Sequence, residues 1–262
     1  MTTTAAARRP ITELPASPSA IGLTYQLETP LRSHAHDRTI ERWTVSARIG
    51  EHFGLEPTPA CAACVDRRAG VQQASAATAD DDGCPHRLLV GEFVFYRIRW
   101  GAGMNPFWAM EEETQGLYEI AEAIFNEERN DYSKEFTDLA DMVIGGSDLL
   151  VLDHAELTGP WRGFGLGPIL AAEAIDRLNG GCGAVLLHPA PITTDDLTFD
   201  QFKHASKRLE ETWAKVGFVP FLTSPYLVFG TCWGIPEQRL AALRKELDAL
   251  CAQWQAARRT RP

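Results

Sequence analysis

Three glycines at every second position, Gly163, Gly165 and Gly167, stand between an apolar segment and a helical pattern. The segment Leu149-Leu150-Val151-Leu152 reads as a buried strand, and Ile169 to Leu178 reads as a helix. Glycines so spaced let the backbone approach a ligand closely and leave successive N–H groups free to meet an anion. The helix that follows adds the partial positive charge of its N-terminus. Pro168 suits a first helical turn, where its missing N–H is not needed. Arg162 supplies a fixed cation. The run Trp161 to Pro168 therefore predicts a pyrophosphate cradle on a strand–loop–helix unit. The same run also fits a strand-to-helix turn that holds no ligand.

Known phosphate loops narrow the choice. A dinucleotide fingerprint counted from Gly163 needs glycine at 168, which is Pro168; counted from Gly165 it needs glycine at 170, which is Leu170. No Gly-Lys-Ser/Thr follows, so the Walker loop fails as well. Arg162, Gly165 and Gly167 fit Arg-x-x-Gly-x-Gly. Downstream, Gly183-Ala184-Val185-Leu186-Leu187-His188 reads as a short buried strand ended by Pro189 and Pro191. Ala205 to Val216 then carries Leu209, Trp213 and Val216 at helical spacing, and leads through Gly217-Phe218 to the strand-like Tyr226-Leu227-Val228-Phe229. Loop, helix and Gly-Phe in this order resemble the acyl-CoA-binding half of the GNAT acyltransferase superfamily over about residues 149–230. The resemblance implies an α/β fold of α+β type. Its sheet is mixed, twisted and flanked by helices, and is splayed at the strand before the Arg162–Gly167 loop. It also implies acetyl-CoA or another acyl-CoA as co-substrate, held by Leu157, Arg162, Gly163, Phe164, Gly165, Leu166, Gly167 and Trp213. The implied activity is N-acyl transfer to the amine of a small molecule or protein. The alternative is a non-catalytic acyl-CoA-binding module that regulates or scaffolds a partner.

Aminolysis of a thioester needs the amine deprotonated, the oxyanion stabilised and the thiolate placed as leaving group. In the family resembled, the base often lies on the strand before the loop, and a backbone N–H of that strand meets the oxyanion. Asp153, His154 and Glu156 are the candidates here, with Asp153 and Glu156 taken as the catalytic pair. They lie three apart, so a regular strand turns them to opposite faces, and a bulge reverses that. The bland reading is that all three are ordinary polar residues at a strand end. His188, ending the next strand, is a proton relay or a satisfied structural histidine. One departure matters: Trp213 stands where the family often carries a tyrosine that protonates the leaving thiolate, and an indole N–H is no acid near neutral pH.

Charge and segment composition bound the rest. With 25 basic and 35 acidic residues the net charge is −10, which repels nucleic acid and suits an amine-bearing substrate. No apolar run approaches the roughly 18 residues that span a membrane. The N-terminus lacks a signal-peptide core, and the six cysteines are unevenly spaced, so a reducing cytoplasm is expected. Residues 1–20, rich in Thr, Ala, Pro and Ser, read as a disordered tail ahead of a domain over 21–234. Residues 57–86 read as a low-complexity insertion between strands at 44–49 and 88–100. Within it, Cys61-x-x-Cys64 has zinc-finger spacing, but Cys84-Pro85-His86 does not make the usual second pair, so free thiols and no metal are expected. Glu111-Glu112-Glu113 reads as a solvated helix start. Residues 114–128 read as an amphipathic helix. Over 235–262, Leu240, Leu243, Leu247, Leu250 and Trp254 make a seam of about two heptads. That seam packs on its own domain or on a second copy in a homodimer.

Overall fold

Burial patterns along the chain separate two kinds of strand. β1 (Ile21–Leu27) and β2 (Ile40–Ile49) alternate more and less buried positions, as strands with one covered face do. β3 (Leu89–Ile98), β5 (Cys182–Leu187) and the first half of β4 (Asp148–Leu157) are mostly buried, as strands covered on both faces must be. The computed structural model describes residues 9–49, 89–142, 146–191, 198–232 and 235–259. With β6 (Val219–Pro220) and β7 (Leu227–Gly230), the strands form one mixed seven-stranded sheet in the order β1-β2-β3-β4-β5-β7-β6. Among the described strands only β4 and β5 are parallel; every other neighbouring pair is antiparallel. Parallel neighbours need a long crossover, and α5 (Leu166–Leu178) supplies it.

The period-2 side-chain alternation sorts the apolar residues into two cores. On one face Phe93, Phe95, Leu150, Leu152, Val185 and Leu187 pack under α5, with the C-terminal end of α6 (Phe199–Trp213) and with α7 (Ile235–Arg259). On the other, Val94, Tyr96, Ile98, Leu149, Val151 and Leu186 pack against α2 (Pro106–Glu113), α3 (Gln115–Ile124) and α4 (Lys134–Ala140). Local chemistry sets where these helices, and the short α1 (Ala35–Thr39) ahead of β2, begin. Asn105 accepts from Phe107 N–H with Pro106 in the first turn, Thr114 accepts from Leu117 N–H, and Thr198 with Gln201 makes a reciprocal capping box.

Three expectations from the sequence are corrected. Residues 9–20 are not part of a disordered tail. Residues 9–20 lie on the α7 side of the sheet, with short 3₁₀ turns at Ile11–Glu13 and Pro18–Ala20 and with Leu14 and Ala20 buried. Low complexity hid these few apolar anchors. The Glu111–Glu113 run ends α2 rather than starting a helix, because the Asn105 cap places the helix start upstream. Helix α3 stops at Ile124, with the buried Phe125 turning to an extended conformation ahead of the polar run that begins at Asn126. The chain turns back through Arg129, at φ 55°, to a Phe125–Tyr132 bridge. The 57–86 insertion, with Cys61, Cys64, Cys84 and His86, lies outside the described residues. Among the described residues no helix is long and apolar enough to cross a membrane.

Of the two readings of the C-terminal seam, packing on its own chain is the one observed. Leu240, Leu243 and Leu250 are buried, and Leu247 and Trp254 pack partly buried against the same core. The Trp254 indole N–H donates to Leu14 O at 3.4 Å, and Arg244 grips Glu173 of α5 with two bonds of 2.7 Å. Leu243→Ala is therefore expected to cost about 2–5 kcal/mol in denaturant unfolding, the range for buried leucines. A loss below about 0.5 kcal/mol, the ordinary spread of surface substitutions, contradicts the docked position of α7.

Candidate functional site

Pairing between β4 and β5 stops before β4 does. The parallel ladder runs from Asp148–Cys182 to Leu152–Leu187, and His188 and Pro189 then leave the sheet. Among the described residues β4 continues to Leu157 on β3 alone, so its second half presents an unpaired edge facing the end of β5. Antiparallel strands alternate residues bonded to the partner with residues turned away. Thr158 N–H donates to Val90 O at 2.9 Å, which turns the N–H groups of Ala155 and Leu157 away from β3. Leu157 O, turned the same way, accepts from Arg162 Nε at 2.5 Å. Two backbone donors thus line a notch between the strand ends.

The notch begins at a bulge. Val94 pairs with His154 and Phe95 with Leu152, so Asp153 is the extra residue. A bulge shifts the side-chain alternation by one position. Leu150 and Leu152 before it, and Ala155 and Leu157 after it, all pack on the α5 face. Asp153, His154 and Glu156 therefore fall together on the α2–α3 face. The bulge removes the opposite facing that a regular strand imposes on Asp153 and Glu156. Asp153 keeps a solvent-exposed edge, yet the protein crowded around its carboxyl pushes the pKa above the ordinary carboxylate range. The positive charges of His154 and Arg42 oppose that rise. Tyr96, opposite Arg42 across the β2–β3 ladder, stays protonated at neutral pH. Burial raises its pKa, the Arg42 hydrogen bond lowers it, and the charges of Asp153 and Glu113 add to the rise. Glu156 is less available: Arg162 Nη2 bonds its Oε1, and His154 Nε2 lies 3.7 Å from its Oε2.

Across the notch, His188 sits edge-on to Tyr226, with ring centroids 5.5 Å apart. Desolvation lowers the His188 pKa, partly offset by Glu119, so the imidazole is neutral near pH 7. Burial, helped by Glu119, raises that of Tyr226. A neutral imidazole and a protonated phenol thus flank one side of the notch, and a carboxylate with raised proton affinity flanks the other.

Next to the notch, Trp161 and Phe164 are sunk to 1% and 2% exposure and anchor the glycine loop from below. Gly163 and Gly165 take φ of +86° and +82°, a region that other residues enter only with strain. Gly165 caps α5 without a side-chain bond to the first turn. The N–H groups of Gly163, Phe164 and Gly165 meet no acceptor among the described residues. Gly167 is not in that region; it keeps space beside Leu157, where an added Cβ would sit 3.8 Å from Leu157 Cδ1. Leu166, the first residue of α5, is fully buried. Loop, free N–H groups, notch and Asp153 therefore occupy one end of the sheet.

Trp213 differs from its expected place beside a ligand. Its indole is 8% exposed, stands edge-on to Phe218 at 6.0 Å and belongs to the α5-side core. A large apolar residue in the last turn of a helix is pulled into the core by burial. Sequence reasoning missed Arg42, Tyr96 and Tyr226. They meet the site only through strand register, which no local pattern announces. Among the described residues no group of three or more His, Cys, Asp or Glu is placed to hold a metal. No protein-family model matches this chain, and no curated protein matches it.

Trp213→Tyr introduces a hydroxyl among apolar neighbours. Thermal and denaturant unfolding are expected to show a loss of about 1–3 kcal/mol, the cost of an unsatisfied buried polar group. Unchanged stability contradicts the core placement of this side chain.

Proposed function

We propose that this protein is an acyl-CoA-dependent N-acyltransferase of GNAT type, using acetyl-CoA and acting on an amine-bearing small molecule or protein. The observation that carries the reading is the notch where β4 outruns β5, adjoining a glycine loop whose N–H groups meet no acceptor among the described residues. The loop N–H groups and the start of α5 would meet the pyrophosphate, with Arg162 alongside. The pantetheine arm would enter the notch in extended form and bond Ala155 and Leu157 as an added strand does. One of those N–H groups would meet the thioester oxygen and stabilise the oxyanion as the amine adds. Asp153 would take the amine proton, its raised pKa making it a better base than an ordinary carboxylate. The thiolate, with a pKa near 8.5, would leave as the anion or take a proton from a neighbouring donor. The net acidic charge favours a cationic acceptor.

A second reading is supported by two observations: Trp213 is spent on the core, and Glu156 is held by Arg162. It is a non-catalytic acyl-CoA-binding module that scaffolds a partner. Native mass spectrometry with an acyl-CoA panel, then a free-thiol assay over candidate amines, separates the two. Binding with thiol release supports the enzyme; binding without release from any amine supports the module; no binding contradicts both.

Gly165→Asp puts a side chain at φ +82° and a negative charge beside the phosphates. At about 4 Å and an effective dielectric near 20 the repulsion is about 4 kcal/mol, near a thousandfold in affinity. Calorimetry on the folded variant is expected to show loss of acetyl-CoA binding, and retained affinity would refute the cradle.

The pH profile of kcat/KM should carry an acid limb from Asp153. As pH falls through its raised pKa the carboxylate is protonated and cannot accept the amine proton, so the rate drops at a pH above the ordinary carboxylate range. Asp153→Asn should cost about 10²–10⁴-fold in rate and spare CoA binding. An unchanged rate and acid limb in the variant would exclude Asp153 as the base.

A further inference from the structure

The glycine loop is held from outside by a residue far away in sequence. Arg9 backbone N–H donates to Gly163 O at 3.2 Å. Its Nη1 donates to Gly159 O at 3.2 Å and, longer, to Arg162 O at 3.5 Å. The guanidinium lies 5.2 Å from the Phe164 ring centroid, and Glu13 pins its other side at 2.8–2.9 Å. The Arg9 stem crosses directly over Gly163, where an added Cβ would come within 3.0 Å of Arg9 Cγ and Cδ. Gly163 is thus glycine for two reasons: its φ of +86° and the Arg9 stem lying against it.

Peptide planarity gives these contacts a consequence. In a trans peptide the C=O of one residue and the N–H of the next point opposite ways. Fixing Arg162 O and Gly163 O on the Arg9 side turns the N–H groups of Gly163 and Phe164 to the other side, where they meet no acceptor among the described residues. We propose that Arg9 is a positioning residue that presets the loop for an anionic ligand, its carbonyl contacts aiming the Gly163 and Phe164 N–H groups at the ligand's phosphates. The inference rests on the acyl-CoA reading of the loop and assigns the cradle a part from the opposite end of the chain. Arg9 acts here as a planar fork on carbonyls, not as a charge on phosphate. A lysine, which presents one point charge, cannot make the same set of bonds.

The test compares wild type, Arg9→Ala and Arg9→Lys in the full chain. Arg9 is 40% exposed, so both variants should fold, and thermal unfolding checks this. Amide hydrogen exchange over residues 159–167 without ligand reads the clamp directly, and calorimetry with CoA reads its consequence. Arg9→Ala is expected to exchange several-fold faster across the loop and to bind CoA about tenfold more weakly. Arg9→Lys should behave as Arg9→Ala does. Full restoration of affinity by lysine overturns the proposal, because a charge then suffices. Unchanged exchange and affinity in Arg9→Ala also overturn it and leave the acyl-CoA reading standing. A wild-type protein that binds no CoA overturns the acyl-CoA reading and the aim of the clamp with it.

Discussion

The end of the β4–β5 ladder at Leu152 and Leu187 is the constraint from which the rest of the site follows. A strand that loses a neighbour must satisfy its edge groups with something else, since backbone donors are costly to leave unpaired away from water. Here the free edge of Asp153–Leu157 is left facing a notch, and its carbonyl at Leu157 is taken by Arg162. The Asp153 bulge ends regular alternation at the same point. It turns three polar side chains onto one face while Ala155 and Leu157 stay with the core. Strand geometry alone thus places backbone donors, a carboxyl of raised proton affinity and a proton-bearing tyrosine within one region.

The 9–20 segment and α7 hold the opposite side of that region. α7 lies along α5, and the 9–20 segment is caught between α7 and the glycine loop through Trp254, Leu14 and Arg9. The loop before α5 is therefore fixed by Trp161 and Phe164 below and by Arg9 above. A loop so held needs less reordering on ligand binding than a free one, and that saving is the physical content of preorganisation.

Legibility from sequence followed the range of the interactions involved. The strand–loop–helix unit over 149–178 was readable because glycine spacing, an apolar run and a helical stripe are all local. So were the β5 strand and the C-terminal seam, close to their expected bounds. The Trp213 helix, expected over 205–216, runs from Phe199 to Trp213 because the Thr198 cap starts it earlier. The bulge was raised only as a way for Asp153 and Glu156 to share a face, because register is decided by the partner strand. Arg42 meets Tyr96, and Asp153 at the bulge comes near both, only once β2, β3 and β4 are side by side. Composition misled at the N-terminus. Residues 9–20 look like a low-complexity tail, but Ile11, Leu14 and Ala20 are enough to pack against a surface the sequence does not show.

The central claim is that loop and notch form one anion-and-thioester site, and amide chemical shifts under CoA titration test it most directly. On this account, resonances of Gly163, Phe164, Gly165, Ala155 and Leu157 shift together along one saturable curve, because pyrophosphate and pantetheine arrive as one ligand. Shifts confined to other surfaces, or loop shifts that saturate without any change at Ala155 and Leu157, would contradict it.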